Sequence, residues 1–191
     1  MNSNSEIIRI GITGHRFITD PAKLCGSLET VFQFLKGKFP GCKFELYSGL
    51  AEGADRLAAR VFLAHQASLT AVIPLPLDEY QKDFTFLESI NELQSLLQKA
   101  EKTVILSDTV NRKEAYVGLG RFLLQKSDIL LSFWDGQASI SRGSTGYIST
   151  SAIEQKLPVI WIHTENRNPK KTHAIPMQQE QGHIDYLNFQ R

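Results

Sequence analysis

Six short apolar runs, separated by stretches of helical periodicity, constrain this chain more than any other feature. The runs are Ile7–Ile12, Lys43–Tyr47, Leu69–Pro74, Thr103–Leu106, Asp128–Trp134 and Pro158–Ile162. Most are continuous rather than alternating, the pattern of strands buried on both faces. Between them apolar residues recur at helical spacing: Leu24, Leu28, Val31 and Leu35; Ala54, Leu57, Ala58 and Val61; Phe86, Ile90, Leu93 and Leu97. Ala115, Leu119 and Phe122 continue the pattern to Lys126, whose stem covers apolar surface. A short fifth helix is expected over Thr145–Gln155. Strands alternating with helices predict an α/β fold: a Rossmann-like, doubly wound parallel sheet of about six strands with helices on both faces.

A chain of 191 residues accommodates one such domain, placed at 1–163. From Thr164 to Arg191 the sequence is polar and reads as an irregular tail or linker, packed through Ile184, Tyr186, Leu187 and Phe189. The net charge of +1 creates no field for a polyanion, so neither nucleic acid nor a membrane surface is expected as a partner. Cys25 and Cys42 have no metal-ligand spacing and read as small buried hydrophobes. The start, "MNSNSE", lacks the apolar core of a signal peptide, and no apolar run is long enough to span a bilayer, so a cytoplasmic location is expected. The five histidines show no metal-binding spacing; no metal or cofactor is expected.

In an open α/β sheet, ligands sit beyond the carboxyl ends of the strands, so the loops there carry the chemistry. After the first run comes "TGHRF": Gly14 permits close approach, and His15 and Arg16 are the polar groups that meet a ligand. "TDP" then starts a helix, with Thr19 or Asp20 as its cap. After the second run, "SGLAEGAD" spans Ser48–Asp55. Gly49 and Gly53 are more glycine than a strand-to-helix turn needs, and Glu52 and Asp55 suit ribose hydroxyls or the helix dipole. After the fifth run, Asp135-Gly136 forms a turn, and Arg142, Gly143, Ser144, Thr145 and Gly146 bring a charge, two hydroxyls and backbone amides to a helix start, a site for an anion. Neither Gly-Lys-Ser/Thr nor G-x-G-x-x-G is present, which removes the signatures of P-loop ATPases and dinucleotide dehydrogenases.

These segments resemble a known superfamily. "SGLAEGAD" is similar to the "SGLARGID" motif of the DprA/Smf proteins, and "AVIPLPLDEYQKDF" and "RGSTGYISTSA…KLPVIWI" resemble their later segments. The LOG and YpsA-like proteins share the plan, and "GITGHR" resembles the start of one branch of this SLOG superfamily. The resemblance runs from Ile7 to Ile162. It implies a Rossmann-like sheet, a site for a nucleotide-derived ligand, and a homodimer. Three activities follow from it: a nucleotide-binding or sensing module, a LOG-like phosphoribohydrolase acting on nucleoside monophosphates, and DprA-like binding of single-stranded DNA. The LOG glutamate falls on Thr150 and the LOG arginine on Leu119, with Arg121 nearby, so the hydrolase lacks its carboxylate. The expectation is therefore a binding module without catalytic residues, its ligand a small nucleotide.

Overall fold

The computed structural model describes residues 5–106, 111–169 and 177–189. Seven strands form one sheet in the order β4-β3-β2-β1-β5-β6-β7. They are β1 (Ile7–Gly14), β2 (Lys43–Ser48), β3 (Ser68–Ile73), β4 (Lys102–Ile105), β5 (Ile129–Trp134), β6 (Val159–His163) and β7 (Ile184–Leu187). The first six are parallel and lie within one or two residues of the expected runs. The seventh arises inside the segment read as an irregular tail and pairs antiparallel with β6. Its four half-buried or exposed residues sit at an edge, and a strand wetted on one side leaves no continuous apolar run to read.

The helices are α1 (Pro21–Lys38), α2 (Ala54–Ala64), α3 (Leu77–Gln81), α4 (Leu87–Lys99), α5 (Arg112–Lys126) and α6 (Thr145–Glu154). Asp20 caps α1, its carboxylate accepting from Lys23 N at 3.1 Å, with Pro21 in the first turn. Alternate residues of β5 divide between two cores. Ile129, Leu131 and Phe133 face the buried sides of α1 and α2, where Leu24, Leu28, Val31 and Leu35 are fully enclosed. Leu130 faces Leu123 of α5 and Ile148 and Ala152 of α6. The sheet is thus covered on both faces, as a Rossmann-like fold requires.

Two details depart from the sequence reading. Phe86, placed on the buried face of the third helix, is 68% exposed just before α4, which buries Leu93 as expected and Leu96, with Ile90 and Leu97 partly buried. Cys25 and Cys42 are free thiols and only half-buried. No helix among the described residues is long and apolar enough to cross a membrane, and none of their His, Cys, Asp and Glu side chains group in threes that could hold a metal ion.

Candidate functional site

The chain adds strands outward from β1 to β4, then returns to β5 on the other side of β1. Ligands of open α/β sheets settle at such a reversal. Here the ends of β1 and β5 diverge into a cleft of about 630 Å³. Gly14 lines it from the end of β1, His15 and Arg16 from the loop that follows, and Asp135 and residues 137–139 from the loop after β5. Gly143, Ser144, Thr145 and Gly146 come from the start of α6, and Asp55 from α2. Of the other expected site residues, Ser48, Gly49, Glu52, Gly53 and Gly136 do not line the cleft, and Arg142 lines an adjoining depression.

Several glycines have a packing reason. A Cβ on Gly14 would come within 2.3 Å of the Ala54 side chain, so Gly14 lets α2 approach β1. Gly53, at φ +81°, lies under the loop after β1, and a Cβ there would fall 2.4 Å from the Arg16 carbonyl. That loop caps α2: Ala54 N donates to the His15 carbonyl at 3.2 Å. The α2 N-terminus is thus partly used by the chain itself. At α6 the Ser144 hydroxyl accepts from Tyr147 N, and Ile148 N donates to the Ser144 carbonyl. Among the described residues this leaves the first-turn amides of Thr145 and Gly146 without a partner, Gly146 lying close under the Gln137 carbonyl.

The charged groups are linked. Arg16 Nη2 donates to Glu52 Oε2 at 3.1 Å and to the Asp83 carbonyl at 3.0 Å, and its guanidinium stands 5.3 Å from the centre of the Phe84 ring. Asp83 accepts from Arg112 Nη1 and from the Tyr116 hydroxyl. Burial and that carboxylate push the Tyr116 phenol well up. His15 Nε2 accepts from Asp135 N at 3.0 Å and stands 3.3 Å from the Asp135 carboxylate. Asp55 is 7% exposed and receives only long bonds, from Ser48 Oγ at 3.5 Å and Ala51 N at 3.4 Å. Burial pushes its carboxyl up to about 7.

Tyr116, Leu119 and Asn166 also line the cleft and were not expected there. Tyr116 and Leu119 lie on a helix whose apolar periodicity reads as core, and Asn166 belongs to the segment read as tail. Arg56, next to Asp55 in sequence, does not line the cleft but is buried: 1% exposed, it donates from Nε to the Leu50 carbonyl at 3.0 Å and pairs through Nη1 with Glu92. Thr150, where the resemblance would place the LOG glutamate, donates its hydroxyl to the Gly146 and Tyr147 carbonyls.

A larger depression, of about 850 Å³, lies at the opposite end of the strands. Its Lys36 and Lys99 occupy the last turns of α1 and α4, where a cation offsets the carbonyl end of a helix. That accounts for two of its three lysines without a ligand, Lys43 being balanced in number by Glu101, and the strand reversal lies at the other end, so the smaller cleft is the candidate.

No protein-family profile matches this chain, and neither does any curated protein. Solved structures do. DNA processing protein A (DprA) from Streptococcus pneumoniae aligns over 82% of this chain and 50% of its own, with TM-score 0.57 and 19% identity. DprA from Helicobacter pylori, described for its single-stranded DNA binding mode, aligns over 87% and 67%, with TM-score 0.53 and 18% identity. The chain shares its fold with DprA. It spans half the length of the S. pneumoniae protein. The Rossmann-like fold that the sequence resemblance implied is therefore present, and at this identity the similarity speaks for the fold alone. It also overturns one expectation. A net charge near zero argues against nucleic acid as a partner, yet a protein of this fold binds single-stranded DNA. Net charge averages over the whole surface and does not describe one edge of a sheet.

Proposed function

We propose that this chain is a nucleotide-binding module whose ligand seats in the cleft between the ends of β1 and β5. One juxtaposition carries the reading: amides at the start of α6, unpaired among the described residues, share a cleft with the buried carboxyl of Asp55. The amides of Thr145 and Gly146 hold a phosphate, because a helix N-terminus favours an anion. Asp55 accepts from ribose hydroxyls, which a phosphate cannot supply. Arg16 turns its guanidinium from Glu52 to the phosphate as the ligand enters. "GITGHR" is the mark of the superfamily branch to which we assign the chain.

Native mass spectrometry of the purified protein identifies a bound nucleotide, and calorimetric titration measures its affinity. Arg16→Ala is expected to weaken binding by about 1.5–3 kcal/mol, the range for a hydrogen bond to a charged group. If no nucleotide co-purifies and AMP, GMP, CMP and UMP all fail to bind, the reading is wrong.

A second reading is that the nucleotide belongs to a single strand of DNA. The H. pylori similarity favours it, since that protein has this fold and binds such a strand. Titration with a short oligonucleotide beside the mononucleotides separates the two.

A further inference from the structure

The cleft does not end at Gly143. Across that residue lies a second depression, of about 400 Å³, sharing Tyr116, Gly143 and Ser144 with the first. The two differ in charge. The cleft is lined by two acids, Asp55 and Asp135, and its one arginine, Arg16, is already paired with Glu52. The side depression is lined by Arg112, Lys113 and Arg142 and, among the described residues, by no acid.

These three cations are not equivalent. Arg112 is spent: Nη1 donates to Asp83 Oδ1, and Nη2 donates to the Glu79 carbonyl at 2.9 Å. Lys113 and Arg142 are exposed, and neither is ion-paired with any described residue. The positive charge left unpaired among the described residues at this corner therefore stands outside the cleft, Arg142 lying three residues before Thr145, the first of the α6 amides. A nucleotide with a single phosphate on those amides would leave both cations unused. A ligand whose chain continues past Gly143 would meet them.

We infer that the side depression is a second phosphate subsite, and that the preferred ligand carries a phosphate beyond the one held by the α6 amides. Lys113 and Arg142 hold it, each by a charge-assisted contact. This rests on the nucleotide reading of the cleft. Its ligand chemistry is a phosphodiester-linked pair of nucleotides, either free or as the end of a strand.

The test is titration of the parent and of a Lys113→Ala/Arg142→Ala double variant with AMP and with the 5′-phosphorylated dinucleotide pApA. Both substitutions are on exposed side chains, and unfolding curves check that the fold is kept. The parent is expected to bind pApA about tenfold more tightly than AMP, the scale of two partly exposed charged contacts. The double variant is expected to lose that gain and to bind AMP as the parent does. The pApA affinity should also fall more steeply with salt than the AMP affinity, because more counterions are released. Equal affinities of the parent for both ligands, or an undiminished gain in the variant, overturns the subsite and leaves the cleft reading standing. Failure of both ligands to bind overturns the subsite, and it overturns the cleft reading as well where GMP, CMP and UMP also fail and no nucleotide co-purifies. A longer 5′-phosphorylated oligonucleotide names the source: further tightening points to a strand, and affinity equal to pApA to a free dinucleotide, the subsite being supported in each case.

Discussion

At pH 8 the Asp55→Asn variant is expected to be more stable than the parent by up to about 4 kcal/mol, whereas at pH 4 the two should unfold alike. The Asp55 carboxyl is raised from 3.8 to about 7, and burial is the largest cause. Its two hydrogen bonds are long, and it forms no ion pair among the described residues. Arg16 is committed to Glu52 and Arg56 to Glu92. An acid with its folded value above its unfolded one holds its proton more tightly in the native state. The parent therefore keeps this contribution below about pH 4 and loses it as the pH climbs to about 7. Asparagine has no proton to lose, so its stability lacks that decline. Urea unfolding of both proteins across this range measures the difference, and a variant less stable than the parent at pH 8 would contradict the account. A carboxyl that costs stability at neutral pH is the kind of group a binding site retains for use. The same substitution is expected to weaken nucleotide binding while it strengthens the fold.

The layout of the sheet was legible because buried parallel strands and amphipathic helices leave different periods in a sequence. The first six strands and the enclosed face of α1 follow directly from those periods. The loops at the reversal were legible too, since glycine and polar residues concentrate at strand ends. Which of those residues face the cleft was not. "SGLAEGAD" sends Asp55 into the cleft but gives Glu52 to Arg16. That division depends on a long-range partner, Asp83, whose carbonyl fixes the arginine from 67 residues away. Tyr116 entered the cleft unannounced because helical periodicity marks a face and does not name what that face meets. β7 escaped because an edge strand wetted on one side lacks the apolar run that marks a buried one.

The two glycines of "SGLAEGAD" are expected to respond very differently to alanine. Gly53→Ala should cost about 3 kcal/mol or more, and Gly49→Ala about 1 kcal/mol. At Gly53 two penalties combine. The backbone sits at φ +81°, which side-chain-bearing residues rarely adopt, and a Cβ would lie 2.4 Å from the Arg16 carbonyl oxygen and 2.6 Å from that of His15. Both obstacles are main chain, and the loop carrying them also caps α2 through the His15 carbonyl. It cannot retreat without giving up that bond. At Gly49 the nearest atom is the Leu119 Cδ2, 2.9 Å away at the end of a side chain that can turn. Urea unfolding ranks the two, and a Gly53→Ala variant within about 1 kcal/mol of the parent would show that the loop yields. The rank also bears on function. His15 and Arg16 ride on the loop that Gly53 admits, so its displacement carries both out of the cleft. Gly53→Ala should therefore lose ligand binding even where the protein remains folded, without any direct contact between that glycine and the ligand.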